Sequence, residues 1–400
     1  MKVAYVVPRY GSSVIGGAEL GARMLAEHLV AELGWQVEVF TTCALDHRTW
    51  ADELPPGTSV EGGVEVHRFR SRSGRATDFE ARSRALLGAP RSVSDSQAQA
   101  WLEWQGPVCP DAVEAALASD AERLCPYPYL YLPTVDVVRR GGERTVLHPA
   151  AHDEAPLHLP CFDEVFARTG ALFLQTLSEQ ALIQRRFPAT SAVRQQVVGL
   201  GIDEPPGAED RTPAPELHPG DRPYLLCLGR VDRLKGSDLL VGWFAAYKDR
   251  HPGPLRLVMA GPVAHTPPAH PDVVVTGPVD EEVKWALLRG SQALVSPSPY
   301  ESFSLVVLEG WLAGVPVLVN GACGPTVEHC QLSGGGAWFD GFASFEVLLD
   351  RLLGDADLRR TLAERGRRYV EERFRWPVLI RRYAGLLTGE AIPPGRRRDP

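Results

Sequence analysis

Two carboxylates set the chemical question in this chain. In the stretch SPSPYESFSLVVLEGWLAGVPVLVNGACG, residues 296–324, Glu301 and Glu309 stand eight positions apart around the apolar run Phe303–Leu308. An ionised carboxylate accepts hydrogen bonds on both oxygens, which suits the neighbouring hydroxyls of a ribose or a pyranose. The simpler alternative is that acids close to a helix start complement its dipole. A second cluster lies in LGRVDRLKGSDLL, with Arg230 directly after an apolar run and Lys235 five residues later, ahead of Gly236. Two cations beside a helix N-terminus make an anion site of diphosphate size. An exposed turn in which they pair with Asp232 and Asp238 would carry the same residues. Near the N-terminus, YGSSVIGGAEL places Gly16 and Gly17 at a strand-to-helix turn, where missing Cβ atoms let backbone N–H groups approach a ligand or merely shape the turn. The spacing is not that of the dinucleotide-binding glycine fingerprint.

These residues need elements to hold them. The run 3–8, a glycine turn, a helix from about Ala18 with Ala22, Leu25, Leu29 and Leu33 on one face, Gly34 as C-cap and the run 37–40 read as a β-α-β unit. Runs at 145–149, 171–176 and 195–201 are further strand candidates. Residues 203–221 hold five prolines, two glycines and no aromatic side chain, which reads as a linker. Beyond it the pattern restarts, with strands expected at 224–230, 255–261, 272–277, 292–298 and 315–321 and helices at about 237–250, 280–289 and 304–313. The expected domains are therefore 1–202, 222–372 and a helix over 373–390 returning to the first, with 391–400 as a tail. Residues 358–387 read as helical, broken at Pro377. Two doubly wound α/β halves should face each other across a cleft beyond the carboxyl ends of their strands.

Composition excludes several alternatives. A net charge of −8 lacks the basic footprint that nucleic acid requires. Seven scattered cysteines without a CxxC pair read as reduced thiols rather than a disulfide framework or zinc site. No window reaches the ~20 apolar residues of a membrane-spanning helix, and the opening residues read as strand and turn rather than a secretion signal, so a cytoplasmic location is expected. Only Lys2, Lys235, Lys248 and Lys284 are lysines, so a lysine beside a candidate site carries unusual weight.

Taken together, GGAE near the N-terminus, GRVDRLKG, the Glu-x7-Glu pair after SPSPY, GVPVLVNGACGPTVEH and FRWPVLIRRYAGLL have the order and spacing of the family-four retaining glycosyltransferases. The chain resembles that family over nearly its whole length, most strongly over 224–331, and WLEWQGP with AAHDEAPLHLP (150–160) is similar to its bacterial polysaccharide branch. The resemblance implies a GT-B fold and a nucleotide-diphosphate sugar donor. It implies that Glu309 holds the ribose and Glu301 the sugar hydroxyls, while Arg230 and Lys235 neutralise the diphosphate with help from amides at Gly16 and Gly17. Phe303 and Ser304 would flank the diphosphate, and Gly277 and Val279 the base. His152 matches the family histidine near sugar and acceptor, with Asp153 and Glu154 beside it; His148 is the competing choice.

The implied reaction is metal-independent transfer by front-face attack, the leaving phosphate oxygen taking the acceptor proton, with no cofactor beyond the co-substrate. The one Asp-x-Asp sequence, Asp355-Ala356-Asp357, reads as a helix cap instead. The acceptor is a glycan, a lipid-linked or a small-molecule hydroxyl. Seven arginines between 68 and 91 suggest either peripheral contact with an anionic membrane at its inner face or a solvated face. A sugar-nucleotide epimerase, a sugar phosphorylase and an inactive sugar-nucleotide-binding protein remain alternative readings.

Overall fold

The computed structural model describes residues 1–14, 16–203 and 222–390; all but the first residue of the expected linker at 203–221, and the tail from 391, lie outside them. The chain forms two compact units, Met1–Gly201 joined by the chain from Trp376, and Ile202–Arg375.

In the first unit, β1 (Lys2–Val6), β2 (Gln36–Thr42), β3 (Gly57–Glu61), β4 (Val64–Phe69) and β5 (Arg123–Pro126) form a sheet of order β3-β4-β2-β1-β5. All its pairings are parallel except the β3–β4 hairpin. A parallel bridge from Leu124 to Thr145 leads on to β6 (Val146–Leu147), β7 (Ala171–Leu174) and β8 (Arg194–Val197). Val3, Ala4, Tyr5, Leu172 and Phe173 are fully buried, as a sheet covered on both faces demands. The first helix, Gly17–Leu33, ends on Gly34 at φ 64, whose N–H reaches the Leu29 and Val30 carbonyls.

The helix Trp376–Thr388 belongs to this unit and buries Trp376, Leu379, Ile380, Tyr383, Leu386 and Leu387 along one face. Pro377 does not break a helix. It sits in the first turn of this one, where its missing N–H costs nothing, and the preceding helix Ala356–Arg373 has already ended. The Trp376 indole stacks on His28 at 3.7 Å and fills the space over Gly201, where a Cβ would approach the ring to 2.4 Å. The Tyr383 hydroxyl meets His148 Nε2 at 2.7 Å and the Tyr5 hydroxyl at 2.6 Å.

The second unit has six parallel strands: β9 (Tyr224–Leu228), β10 (Arg256–Ala260), β11 (Val273–Gly277), β12 (Ala293–Ser296), β13 (Val317–Asn320) and β14 (Gly336–Phe339). Their order, β11-β10-β9-β12-β13-β14, is doubly wound, and the direction of winding reverses between β9 and β12. Below that point Trp311 is fully buried. Its indole N–H donates to the Gly335 carbonyl at 2.8 Å, and Gly366 lets the Ala356–Arg373 helix pass within contact of the ring.

Candidate functional site

Parallel sheets of this kind bind ligands beyond the carboxyl ends of their strands at the winding reversal. There the loop after β9 makes a tight turn. The Asp232 carboxylate accepts from the Leu234 N–H at 2.9 Å, while the Asp232 N–H donates to Ser237 Oγ at 2.9 Å. Gly236, at φ 78, closes the turn so near the loop after β12 that a Cβ would lie 2.5 Å from the Pro297 carbonyl oxygen. That carbonyl accepts from Asn320 Nδ2 at 2.8 Å, tying the end of β13 into the same layer.

Lys235 completes the join. Its ammonium donates to Glu301 Oε1 at 2.8 Å and to the Tyr300 carbonyl at 3.1 Å, linking the loops on the two sides of the reversal. Arg230 does not touch it; Arg230 Nε lies 3.2 Å from Asp232 Oδ2, and the side chain is 40% exposed. One pairing of the exposed-turn alternative is therefore present. The other is not, because Asp238 engages Arg233 and His265 instead of Lys235.

The helix Leu305–Leu312 follows Ser304, which adopts φ 73, an uncommon conformation for a residue with a Cβ. Ser304 Oγ is buried with no hydrogen-bond partner, and Phe303 is 2% exposed. The backbone here is held by His329, buried beneath it. Nε2 donates to the Phe303 carbonyl at 3.1 Å, which makes Nδ1 the acceptor for the Tyr369 hydroxyl at 2.9 Å. Burial pulls the His329 imidazole down to about 4, so it is neutral in that network.

Glu309 is half-buried in a helix that buries Val307, Leu308 and Trp311, and it meets Lys284 at 2.7 Å, not Lys235. The two carboxylates thus serve different lysines. Burial pulls the Lys284 ammonium down, but Glu309 and Glu281 outweigh it and raise it above the ordinary lysine range. Gly277, at φ 76, closes β11, and Val279 is half-buried just before Asp280, which caps the Glu281–Gly290 helix by accepting from the Val283 N–H at 2.8 Å.

In the first unit, Gly16 is required by space. Its φ of 166 is ordinary extended backbone, but a Cβ would fall 2.1 Å from Glu19 Oε2, whose carboxylate is paired with Arg9. A Cβ on Gly17 would meet nothing within 4 Å. His152 Nε2 lies 3.3 Å from Glu154 Oε2, and Glu154 Oε1 accepts from the Tyr129 hydroxyl at 2.8 Å. Asp153 is engaged with His158 at 3.0 Å. His148 is fully buried between the Val146 carbonyl and Tyr383, and burial pulls it down to about 3. It is a structural histidine. Five of the seven arginines, Arg68, Arg70, Arg72, Arg75 and Arg82, each meet a carboxylate. Asp355 caps its helix through the Leu358 N–H at 2.8 Å and Asp357 pairs with Arg360, so the Asp-x-Asp sequence is a structural cap. Among the described residues, ligating groups close enough to share a cation occur at Glu38, Glu65 and His67, where the Lys2 ammonium already stands 2.9 Å from Glu38.

Lys284, His329 and the Arg9–Glu19 pair are absent from the sequence-derived site. The scarcity of lysine marked Lys284, but nothing local linked it to Glu309, 25 residues away.

Residues 208–369 match the family model of the Glycosyl transferases group 1. A D-inositol 3-phosphate glycosyltransferase of Salinispora arenicola is 31% identical over 260 residues, 58% of this chain and 57% of that protein. The chain thus spans little more than half the length of such curated relatives. A GDP-mannose-dependent phosphatidylinositol monomannoside mannosyltransferase of Mycobacterium tuberculosis is 25% identical over 62% of this chain and 71% of its own length. Among solved structures, sucrose-phosphate synthase from Thermosynechococcus elongatus superposes with a TM-score of 0.67 at 18% identity, covering 97% and 98% of the two chains. Anabaena HepE in complex with UDP-glucose gives 0.66 at 14% identity, covering 97% and 100%. These whole-chain superpositions show the GT-B fold.

Proposed function

We propose, from the match of residues 208–369 to the group 1 glycosyltransferase model, that the protein transfers a sugar from a nucleotide-diphosphate donor to an acceptor hydroxyl with retention at the anomeric carbon. The observation carrying this reading is the Lys235–Glu301 pair bridging the loops after β9 and β12. It sets an ammonium and a carboxylate side by side at the winding reversal, one suited to a diphosphate and the other to sugar hydroxyls.

In this reading Lys235 and Arg230 stabilise the charge that grows on the diphosphate, and Glu309, oriented by Lys284, binds the ribose diol. Glu301 accepts from the sugar hydroxyls. The backbone at Phe303 and Ser304, held by His329, faces the phosphates, as do Gly16 and Gly17, and Gly277 and Val279 flank the base. The bond from the anomeric carbon to the phosphate oxygen breaks as the acceptor oxygen bonds on the same face. The acceptor proton passes to the departing phosphate oxygen, so no separate base is needed. Fixed cations supply the positive charge this step demands, in the role a metal ion would otherwise fill. His152, Asp153 and Glu154 serve the acceptor side.

The test is a thermal-shift panel of UDP-, GDP-, ADP- and TDP-sugars, repeated on Arg230→Ala and Lys235→Ala. Stabilisation by one donor class that both variants lose supports the reading. If no sugar nucleotide stabilises the wild-type protein, the reading is wrong.

A further inference from the structure

A carboxylate outside the site just described is hydrogen-bonded to the segment that bears His152. Glu179 is 1% exposed, in the first turn of the helix Leu177–Arg186, where the Thr176 hydroxyl caps the helix by accepting from the Glu179 N–H at 3.0 Å. Its two oxygens reach two separate stretches of backbone. Oε2 accepts from the Gln175 N–H at 2.6 Å, just after β7, and Oε1 accepts from the Ala151 N–H at 2.7 Å, in the loop after β6. Burying a carboxylate is costly unless such donors compensate it, and the helix N-terminus adds to the compensation.

The second bond bears on His152, the next residue along. Ala150 is held at φ 51, in the left-handed region that residues with a Cβ rarely occupy and leave when unconstrained. On the far side of His152, the Glu154 N–H closes a turn on the His152 carbonyl at 2.8 Å, and the Glu154 carboxylate is held by Tyr129. The loop is therefore pinned before His152 by Glu179 and after it by Tyr129, with the imidazole between.

We propose that Glu179 is a positioning residue that fixes the 150–154 loop and so aims His152. The inference rests on the glycosyltransferase reading for its catalytic consequence but not for its structural one. Leucine at 179 has nearly the same size but no acceptor oxygen, so the Gln175 and the Ala151 N–H both lose their partner.

The experiment combines hydrogen exchange with a double-mutant cycle. Glu179→Leu is expected to raise amide exchange across 150–154 about tenfold or more, the effect of losing the buried hydrogen bond to the Ala151 N–H, while exchange in β1 and β2 is unchanged. With the sugar nucleotide that gives the largest thermal shift, kcat should fall by about tenfold with donor KM within about twofold. In a His152→Ala background the same change should cost less than about twofold, because its effect passes through that imidazole. Unchanged exchange at 150–154 would overturn the proposal, and so would losses that multiply in the double variant. Should Glu179→Leu fail to fold, Glu179→Asp, one methylene shorter, serves the same two measurements. A wild-type protein that transfers sugar from no donor refutes the glycosyltransferase reading, and the exchange measurement then decides alone whether Glu179 fixes the loop.

Discussion

Replacing Lys235 with alanine removes the cation at the centre of the candidate site, and the structure sets the size of the effect. A phosphate charge about 4 Å from the ammonium interacts with it by about 4 kcal/mol at the effective dielectric of a protein surface. The Lys235 side chain is 33% exposed, so solvent screening reduces that to about 2 kcal/mol. About 2 kcal/mol corresponds to roughly a 30-fold loss in kcat/KM. The loss should fall mainly on kcat, because the leaving diphosphate carries more negative charge in the transition state than in the bound donor. Arg230→Ala should cost less, about tenfold, since Arg230 is more exposed and shares its charge with Asp232. The assay is initial-rate release of nucleoside diphosphate with donor and acceptor. Arg250→Ala is the charge-matched control, at the opposite end of the Ser237–Arg250 helix and paired with Glu346. A Lys235→Ala enzyme within threefold of wild type, or one no worse than Arg250→Ala, would refute the assignment of the leaving-group site.

Gly16→Ala should destabilise the first unit by about 1–3 kcal/mol, as its Cβ displaces the Arg9–Glu19 pair, whereas Gly17→Ala should leave the melting temperature unchanged or raised; equal melting temperatures would contradict the packing. If Gly17→Ala nonetheless loses donor binding, the backbone there approaches ligand. His329 is neutral in the fold down to about 4 but has an unfolded value near 6.5, so the unfolded chain takes up the extra proton between those values and stability falls as pH drops through them. His329→Phe should remove about 1 kcal/mol of the loss of stability between pH 6 and pH 5, measured by denaturant unfolding, and an unaltered pH slope would count against this account. Vesicles of anionic lipid should not pellet the protein in a salt-sensitive way, because five arginines of the 68–91 segment are spent on carboxylates; salt-sensitive pelleting would show that this surface binds membrane.

The strands of the two parallel cores were legible because burial on both faces leaves continuous apolar runs, as in residues 224–228 and 256–260. What escaped sequence reading lies at edges, is very short, or, as in Val64–Phe69 inside the first sheet, alternates buried valines with Glu65 and His67 instead of forming an apolar run. Gly57–Glu61 is an exposed hairpin strand, Arg123–Pro126 has four residues, and Gly336–Phe339 is a half-exposed edge. The same division holds for the site. Arg230, Lys235 and Glu301 each follow a strand end and a turn signal, so local pattern marked them as candidates, whereas Glu309, inside the Leu305–Leu312 helix, was marked by its spacing from Glu301. Lys284 beside Glu309, His329 under Phe303 and Glu179 under Ala151 are joined only by the packing of separate elements. Local pattern cannot show a partner 25 or 28 residues away. The second boundary of Ile202–Arg375 was obscured for a related reason: Pro377, a residue that commonly marks a helix break, instead stands inside the first turn of the returning helix.

The charges at the winding reversal also bear on how a site can be prepared before its ligand arrives. An ammonium has three N–H donors, and Lys235 spends two of them, on Glu301 and the Tyr300 carbonyl. Both partners sit in the loop that Pro297 and Asn320 fasten to the sheet, and the lysine sits on the turn that Gly236 presses against that loop. The side-chain entropy of a long, flexible residue is therefore largely surrendered on folding rather than on binding. In the proposed reading the third donor meets a phosphate oxygen at little further cost in order, and Glu301 offers its other oxygen to a sugar hydroxyl. A lysine free to rotate in solvent would have to give up that entropy during binding, with less left to stabilise the transition state.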